Sequence, residues 1–148
     1  MSVDRSFVSE NDTQRARLRT LVTRLSDADL ARPLPADWTV ATVLGHVAFW
    51  DQRALLLLDA WQHKGIAPSP SHEADTDWIN DAGKPFLLAL PPRQLADLAV
   101  SIAEAVDRKV AALPDDLVTR NTEAGSPINL RRAEHRRQHL DDIESALG

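Results

Sequence analysis

The sequence predicts an all-α fold, a four-helix bundle, on three observations. Apolar residues recur at steps of three and four over several long stretches. β-branched residues never alternate with polar ones over a strand's length, and proline- or serine-rich connections of short to moderate length separate the stretches. Long amphipathic helices joined in this way bury their stripes against one another. At 148 residues the chain fits one domain, residues 1–148, with a core large enough to need no disulfide or structural metal.

The first helix is expected over about residues 5 to 26, with Leu18, Leu21, Val22 and Leu25 on one stripe. SDADLARPLPADW then holds two prolines and several capping residues, so the backbone leaves the helix before Pro33. Thr39 is the expected N-cap of a second helix whose buried stripe is Val43, Val47, Trp50, Ala54, Leu57 and Trp61, and Gly65 ends it. After the connection GIAPSPSHE, Asp75 or Thr76 caps a third helix containing Trp78, Ile79 and Phe86, with Pro85 near its far end. LPPRQ opens a fourth helix with the stripe Leu95, Leu98, Ile102, Val106, Val110 and Leu113, closed by Pro114 and DDL. NTEAGSP reads as a loop. The last helix is INLRRAEHRRQHLDDIESALG, in which histidines interrupt Leu130, Ile143 and Leu147 where a bundle helix usually buries apolar groups.

Composition narrows the chemistry. The chain has no cysteine, which excludes disulfides, thiolate nucleophiles, zinc fingers and iron-sulfur clusters and leaves His, Asp and Glu as metal ligands. A net charge of -5, from 17 Lys+Arg against 22 Asp+Glu, works against nucleic acid as a partner. No apolar run nears the roughly 20 residues of a bilayer crossing, and MSVDRSFVSENDTQ lacks the basic start and apolar stretch of a secretory signal. A cytoplasmic protein with a small-molecule substrate, and no membrane partner, is the expectation.

His135 and His139 stand four apart on the last helix, one turn apart on one face, so both reach one ion. His46 sits mid-helix between Val43, Val47 and Trp50, which points it inward and makes it the third candidate ligand. Taken singly, His46 equally fits a core histidine hydrogen-bonded to a neighbour. His63 and His72 flank the proline-rich connection and are expected to face solvent. The four tryptophans, at 38, 50, 61 and 78, read mostly as core, with Trp50 one turn beyond His46 lining a pocket. The doublets Arg131-Arg132 and Arg136-Arg137, interleaved with Glu134, Asp141, Asp142 and Glu144, read as a solvated, ion-paired face, or as the source of one arginine for an anionic substrate.

The segment LPADWTVATVLGHVAFWDQRALLLLDAW resembles the second helix of the DinB and YfiT type of metal-dependent enzymes, and EHRRQHLDDIE resembles their last-helix pair. DTDWIN, with Asp77 and Asn80, resembles the corresponding third-helix segment, so the resemblance runs through nearly the whole chain. The family pattern of one histidine in the second helix and His-x3-His in the last is matched by His46, then His135 and His139. The resemblance implies an up-down-down-up four-helix bundle, often a homodimer, with those three residues as metal ligands.

Three neutral imidazoles leave coordination positions open for substrate and suit a divalent ion, with zinc or nickel expected ahead of copper or iron. Characterised relatives in that superfamily include transferases that use low-molecular-weight thiols such as bacillithiol, and a mycothiol-dependent maleylpyruvate isomerase. The leading expectation is therefore a thiol-dependent S-transferase acting on small electrophiles, in which the metal favours the thiolate of a cofactor such as mycothiol or bacillithiol. A metal-dependent hydrolase and a non-catalytic bundle that binds a metal or small ligand are the alternatives.

Overall fold

In the computed structural model, which describes residues 2–69 and 73–148, the helices fall in this order: α1 (Phe7–Arg24), α2 (Asp27–Leu30), α3 (Val40–Lys64), α4 (Glu73–Ala89), α5 (Pro92–Ala111), α6 (Asp115–Glu123) and α7 (Ala133–Leu147). Strands β1 (Pro33–Leu34) and β2 (Trp38–Thr39) pair antiparallel between α2 and α3, Pro33 opposite Thr39 and Leu34 opposite Trp38. This ladder is too small to alter the all-α class that the periodicity predicts. Among the described residues no helix is long and apolar enough to cross a membrane.

Local chemistry sets the boundaries. The Thr39 hydroxyl accepts from the Thr42 N–H at 3.1 Å, and the Thr42 hydroxyl accepts from the Thr39 N–H at 2.7 Å, a reciprocal cap that fixes where α3 begins. Gly65 ends it in the left-handed region at φ 68°, as expected. α1 stops short of the predicted residue 26, because Leu25 turns extended and Ser26 opens α2 through its own capping box with Asp29. α4 begins at Glu73, so Asp75 and Thr76 lie inside it rather than at its cap, and it continues through the exposed Pro85.

Two further expectations need correcting. The acidic stretch after Pro114 does not merely close α5; it forms α6, which buries Leu117, Val118 and Asn121. The last helix starts at Ala133 rather than at the INL segment, because side chains take over that segment's backbone groups. Asn121 clamps Ile128, donating to its carbonyl at 2.8 Å and accepting from its N–H at 3.1 Å. Asn11 does the same across the bundle, donating to the Leu130 carbonyl and accepting from the Ala133 N–H, each at 2.9 Å.

Residue pairings give the helix directions. Arg15 meets Asp107 and the Val22 carbonyl meets Arg93, so α1 and α5 are antiparallel. Gly45 lies against Leu95 and Asp59 meets Lys109, so α3 and α5 run the same way. Asn11 meets Ala133 and Arg17 meets Asp141, so α7 is parallel to α1. Taken in the order α1, α3, α5, α7, the bundle is up-down-down-up, as the resemblance implies, and α4 packs on α3 outside it.

The interior is two apolar clusters. One gathers Leu18, Leu21, Leu44, Leu95 and Ile143, and the other Phe7, Leu58, Trp61, Val106 and Leu117. Between their α1, α3 and α7 contributions lie buried polar residues, Asn11, Asp51, Arg132 and Arg136, with Asp107 joining them from α5. Arg132 and Arg136 thus correct the expectation that the arginine doublets form a solvated face. Arg136 is 0% exposed and donates to Asp51 on α3 and Asp107 on α5, while Arg132 reaches the other oxygen of Asp51 at 2.8 Å. Arg131 does fit the solvated reading, pairing with Glu10.

Candidate metal centre

The core stripe of α7 is Ala133, Arg136, Leu140 and Ile143, and the next stripe around the helix, still half-buried, carries His135 and His139. The histidines therefore do not displace core residues, as the sequence suggested; they edge the core and face α3. There His46 follows Gly45, whose missing side chain lets α3 close on its neighbours: an added Cβ would lie 2.8 Å from Leu95 Cδ2 and 3.0 Å from Leu87 Cδ2. The three imidazoles, brought from two helices, converge. His46 Nε2 and His139 Nε2 each lie 3.1 Å from His135 Nε2, and one nitrogen from each ring falls within 4.8 Å of the others.

The donor set fits a divalent ion. Two nitrogens each about 2.1 Å from a shared ion and at roughly right angles about it are about 3 Å apart, the spacing His135 makes with each partner. Hydrogen bonds among the rings cannot satisfy the cluster, since a neutral imidazole has one donor and one acceptor nitrogen and His135 Nε2 faces two partners. His135 Nδ1 is buried and has no hydrogen-bond partner among the described residues.

Electrostatics keep the rings neutral. Burial pushes His46 from the ordinary 6.5 down to about 4, helped by the adjacent His139 and opposed by the side chain of Asn80. Burial pushes His135 to about 3, helped by His139, His46 and the buried Arg132 and Arg136. His139 is lowered by burial, against the pull of Asp142. Free lone pairs at neutral pH are what metal ligation requires.

A cavity of ≈ 700 Å³ opens beside His46 and His139. Leu34, Pro35, Trp38 and Val43 give it an apolar wall, and Asn80, Asp142 and Ser145 supply its other polar groups. The wall depends on the β1–β2 hairpin, whose turn holds Ala36 and Asp37 at φ 60° and 63°. Asn80 accepts a hydrogen bond from Trp50 Nε1 at 2.8 Å, and together with Trp38 and His46 it also lines a smaller cavity of ≈ 260 Å³ under α4.

Of the other sequence-stated candidates, His63 is exposed with its Nε2 3.4 Å from Lys109 Nζ, and His72 lies outside the described residues. Trp61 is core, whereas Trp78 is 59% exposed, against expectation. Trp38 lines both cavities, a role assigned from sequence to Trp50, whose indole is instead bonded to Asn80. Among the described residues that line the larger cavity there is no arginine, so the structure does not bear out the idea of an arginine meeting an anion there. Asp51 and Asp107 were not singled out. Asp51 falls between Val47 and Ala54 on the α3 stripe, the same signal of a polar residue on an apolar face that marked His46.

The family model described as Mycothiol maleylpyruvate isomerase N-terminal domain matches residues 12–144. No curated protein and no solved structure gives a significant match. Spanning α1 to α7 and all three histidines, that match shows that the chain belongs to the mycothiol maleylpyruvate isomerase N-terminal domain family, within the DinB- and YfiT-like superfamily.

Proposed function

We propose that the protein is a metal-dependent, thiol-dependent S-transferase acting on small electrophiles, with His46, His135 and His139 as the ligands of a divalent ion, zinc or nickel. The convergence of three neutral imidazoles from two helices at the edge of a ≈ 700 Å³ cavity carries this reading. A divalent ion there would supply Lewis acidity, favouring the deprotonated form of a small thiol at neutral pH. The chain has no cysteine, so the thiol comes from a cofactor such as mycothiol or bacillithiol. Trp38, Val43 and Leu34 keep water from the apolar side of the cavity and hold the electrophile's body, and Asn80 stands beside His46 to keep its ring in place. The exposed Trp78, Phe86 and Leu88 of α4 support a homodimer as the working assembly.

Metal analysis of the purified protein, followed by assay with bacterial thiols and monochlorobimane, tests the reading. Bound metal and conjugation that needs both metal and thiol is the expected result. Ester turnover without thiol would replace transfer by hydrolysis, and bound metal without either activity would leave a binding module. Exchanging any of the three histidines for alanine is expected to lower metal affinity by about tenfold to a hundredfold or more, and His63→Ala to leave it unchanged.

A further inference from the structure

Helix α4 is seated unlike the others. None of its described side chains is buried, whereas α1, α3, α5 and α7 each bury a stripe. Beneath it lies the cavity of ≈ 260 Å³, with Ile79, Phe86 and Leu87 above and His46 and Phe49 below. There α4 bridges unfilled space instead of packing into α3.

The helix is also weak at one place. Pro85 offers no N–H to the Asp81 carbonyl, and its ring crowds that carbonyl. Gly83, two residues earlier, has no left-handed backbone to require glycine, and an added Cβ would meet nothing within 4 Å. It loosens the helix without serving packing or a turn.

The ties on the two sides of this joint differ in kind. At and after it, Lys84 lies over the Trp38 ring, 5.2 Å from its centroid, and donates to the Ala36 carbonyl, while Leu87 reaches the core cluster against Gly45. Before it, the tie is Asn80, which accepts from Trp50 Nε1 at 2.8 Å. One neutral hydrogen bond between half-buried groups is a small holding force.

We propose that the residues of α4 before Gly83 are a hinged cover on the His46 side of the site, bending at Gly83 to Pro85 and latched by Trp50 and Asn80. His46, Trp38 and Asn80 line both cavities, so lifting the cover joins the two spaces into one and opens the α4-facing side of His46. The three histidines belong to α3 and α7, so the movement leaves their grouping undisturbed. The cover is a property of the fold and does not depend on which reaction the site performs.

A chain without cysteine allows a clean test. Ile79 and Leu87 line the small cavity from opposite sides of the joint, so Ile79→Cys and Leu87→Cys each place one thiol there. Labelling with dithionitrobenzoate, a bulky aromatic disulfide, is followed without denaturant and at high protein dilution, so that a second copy does not rest on Trp78 and Phe86. The Ile79→Cys thiol is expected to react about tenfold or more faster than that of Leu87→Cys, and far ahead of global unfolding. Adding Gly83→Ala should slow it roughly fivefold, and adding Trp50→Phe should speed it roughly twofold to tenfold.

Equal rates for the two thiols, labelling only as fast as global unfolding, or indifference to Gly83→Ala overturns the proposal. If either cysteine variant does not fold, amide exchange in the unaltered chain decides. Asp81 and Ala82 exchanging ahead of Leu87 and Leu88 upholds the hinge, and equal exchange overturns it.

Discussion

Arg136 and Asp107 form a two-pronged ion pair wholly inside the bundle, Nη1 to Oδ2 and Nη2 to Oδ1 at 2.7 Å each, one residue along α7 from His135. The same guanidinium donates to Asp51, five residues beyond His46 on α3. Thus the residues that bring the histidines together are themselves tied by buried charge.

Removing Asp107 takes away the two-pronged partner of a fully buried guanidinium and leaves Arg136 to share the single carboxylate of Asp51 with Arg132. Asp107→Ala is expected to destabilise the protein by about 3–5 kcal/mol in urea unfolding. The exposed pair of Arg120 with Asp116 is the comparison, and Asp116→Ala is expected to change stability by less than about 1 kcal/mol. Similar small losses at both would mean that the interior pair is not desolvated.

The histidines set a pH dependence with a definite sign. In the folded chain His46 and His135 hold protons only near about 4 and about 3, whereas unfolding restores them to the ordinary 6.5. Over that window the unfolded state binds more protons, so the histidine contribution is fully present above pH 6.5 and is lost as pH falls toward 4. Urea midpoints of metal-free protein at pH 8, 6 and 5 are expected to fall in that order. The decline should be shallower in a His46→Ala, His135→Ala double variant.

Gly45 provides a test of close packing beside the site. Gly45→Ala gains roughly 1 kcal/mol of helix propensity but drives a methyl group into Leu95, and overpacking of this kind costs about 1–3 kcal/mol. A net loss of about 1 kcal/mol in urea unfolding, with weaker metal binding because His46 shifts with its neighbour, is the expected outcome. A more stable variant would show that Leu95 and Leu87 give way freely.

The bond from Trp50 to Asn80 fastens α4 to α3 next to His46. Trp50→Phe and Asn80→Ala each remove it. In a double-mutant cycle they should show a coupling of about 0.5–1.5 kcal/mol, with faster amide exchange confined to α4. Strict additivity would mean that the bond contributes nothing.

The parts of this structure that were legible in the sequence are those governed by near neighbours. Thr39 with Thr42, and Gly65, carry the chemistry that starts and stops α3 within the helix's own ends, and His135 and His139 sit one turn apart. What escaped depends on partners far along the chain. The INL segment looks helical by pattern, but Asn11 and Asn121 hold Leu130 and Ile128 out of the helix. Arg136 looks like one more member of a charged surface, because Asp107, 29 residues earlier, and Asp51, 85 residues earlier, leave no local mark. α6 did carry a signal, a proline followed by two acids in the first turn, read instead as the end of α5.

The polar band between the two apolar clusters also limits how the helices can slide. Greasy stripes such as Leu18, Leu44 and Ile143 would tolerate a shift of α7 by one turn, trading one aliphatic neighbour for another. Such a slip would bring Leu140 toward Asp51 and Asp107 and strand a guanidinium among hydrocarbons, a far less favourable exchange. The mutual placement of His46, His135 and His139 is therefore selected by electrostatic matching one layer below them, and wrongly aligned bundles are rejected before any ligand is present.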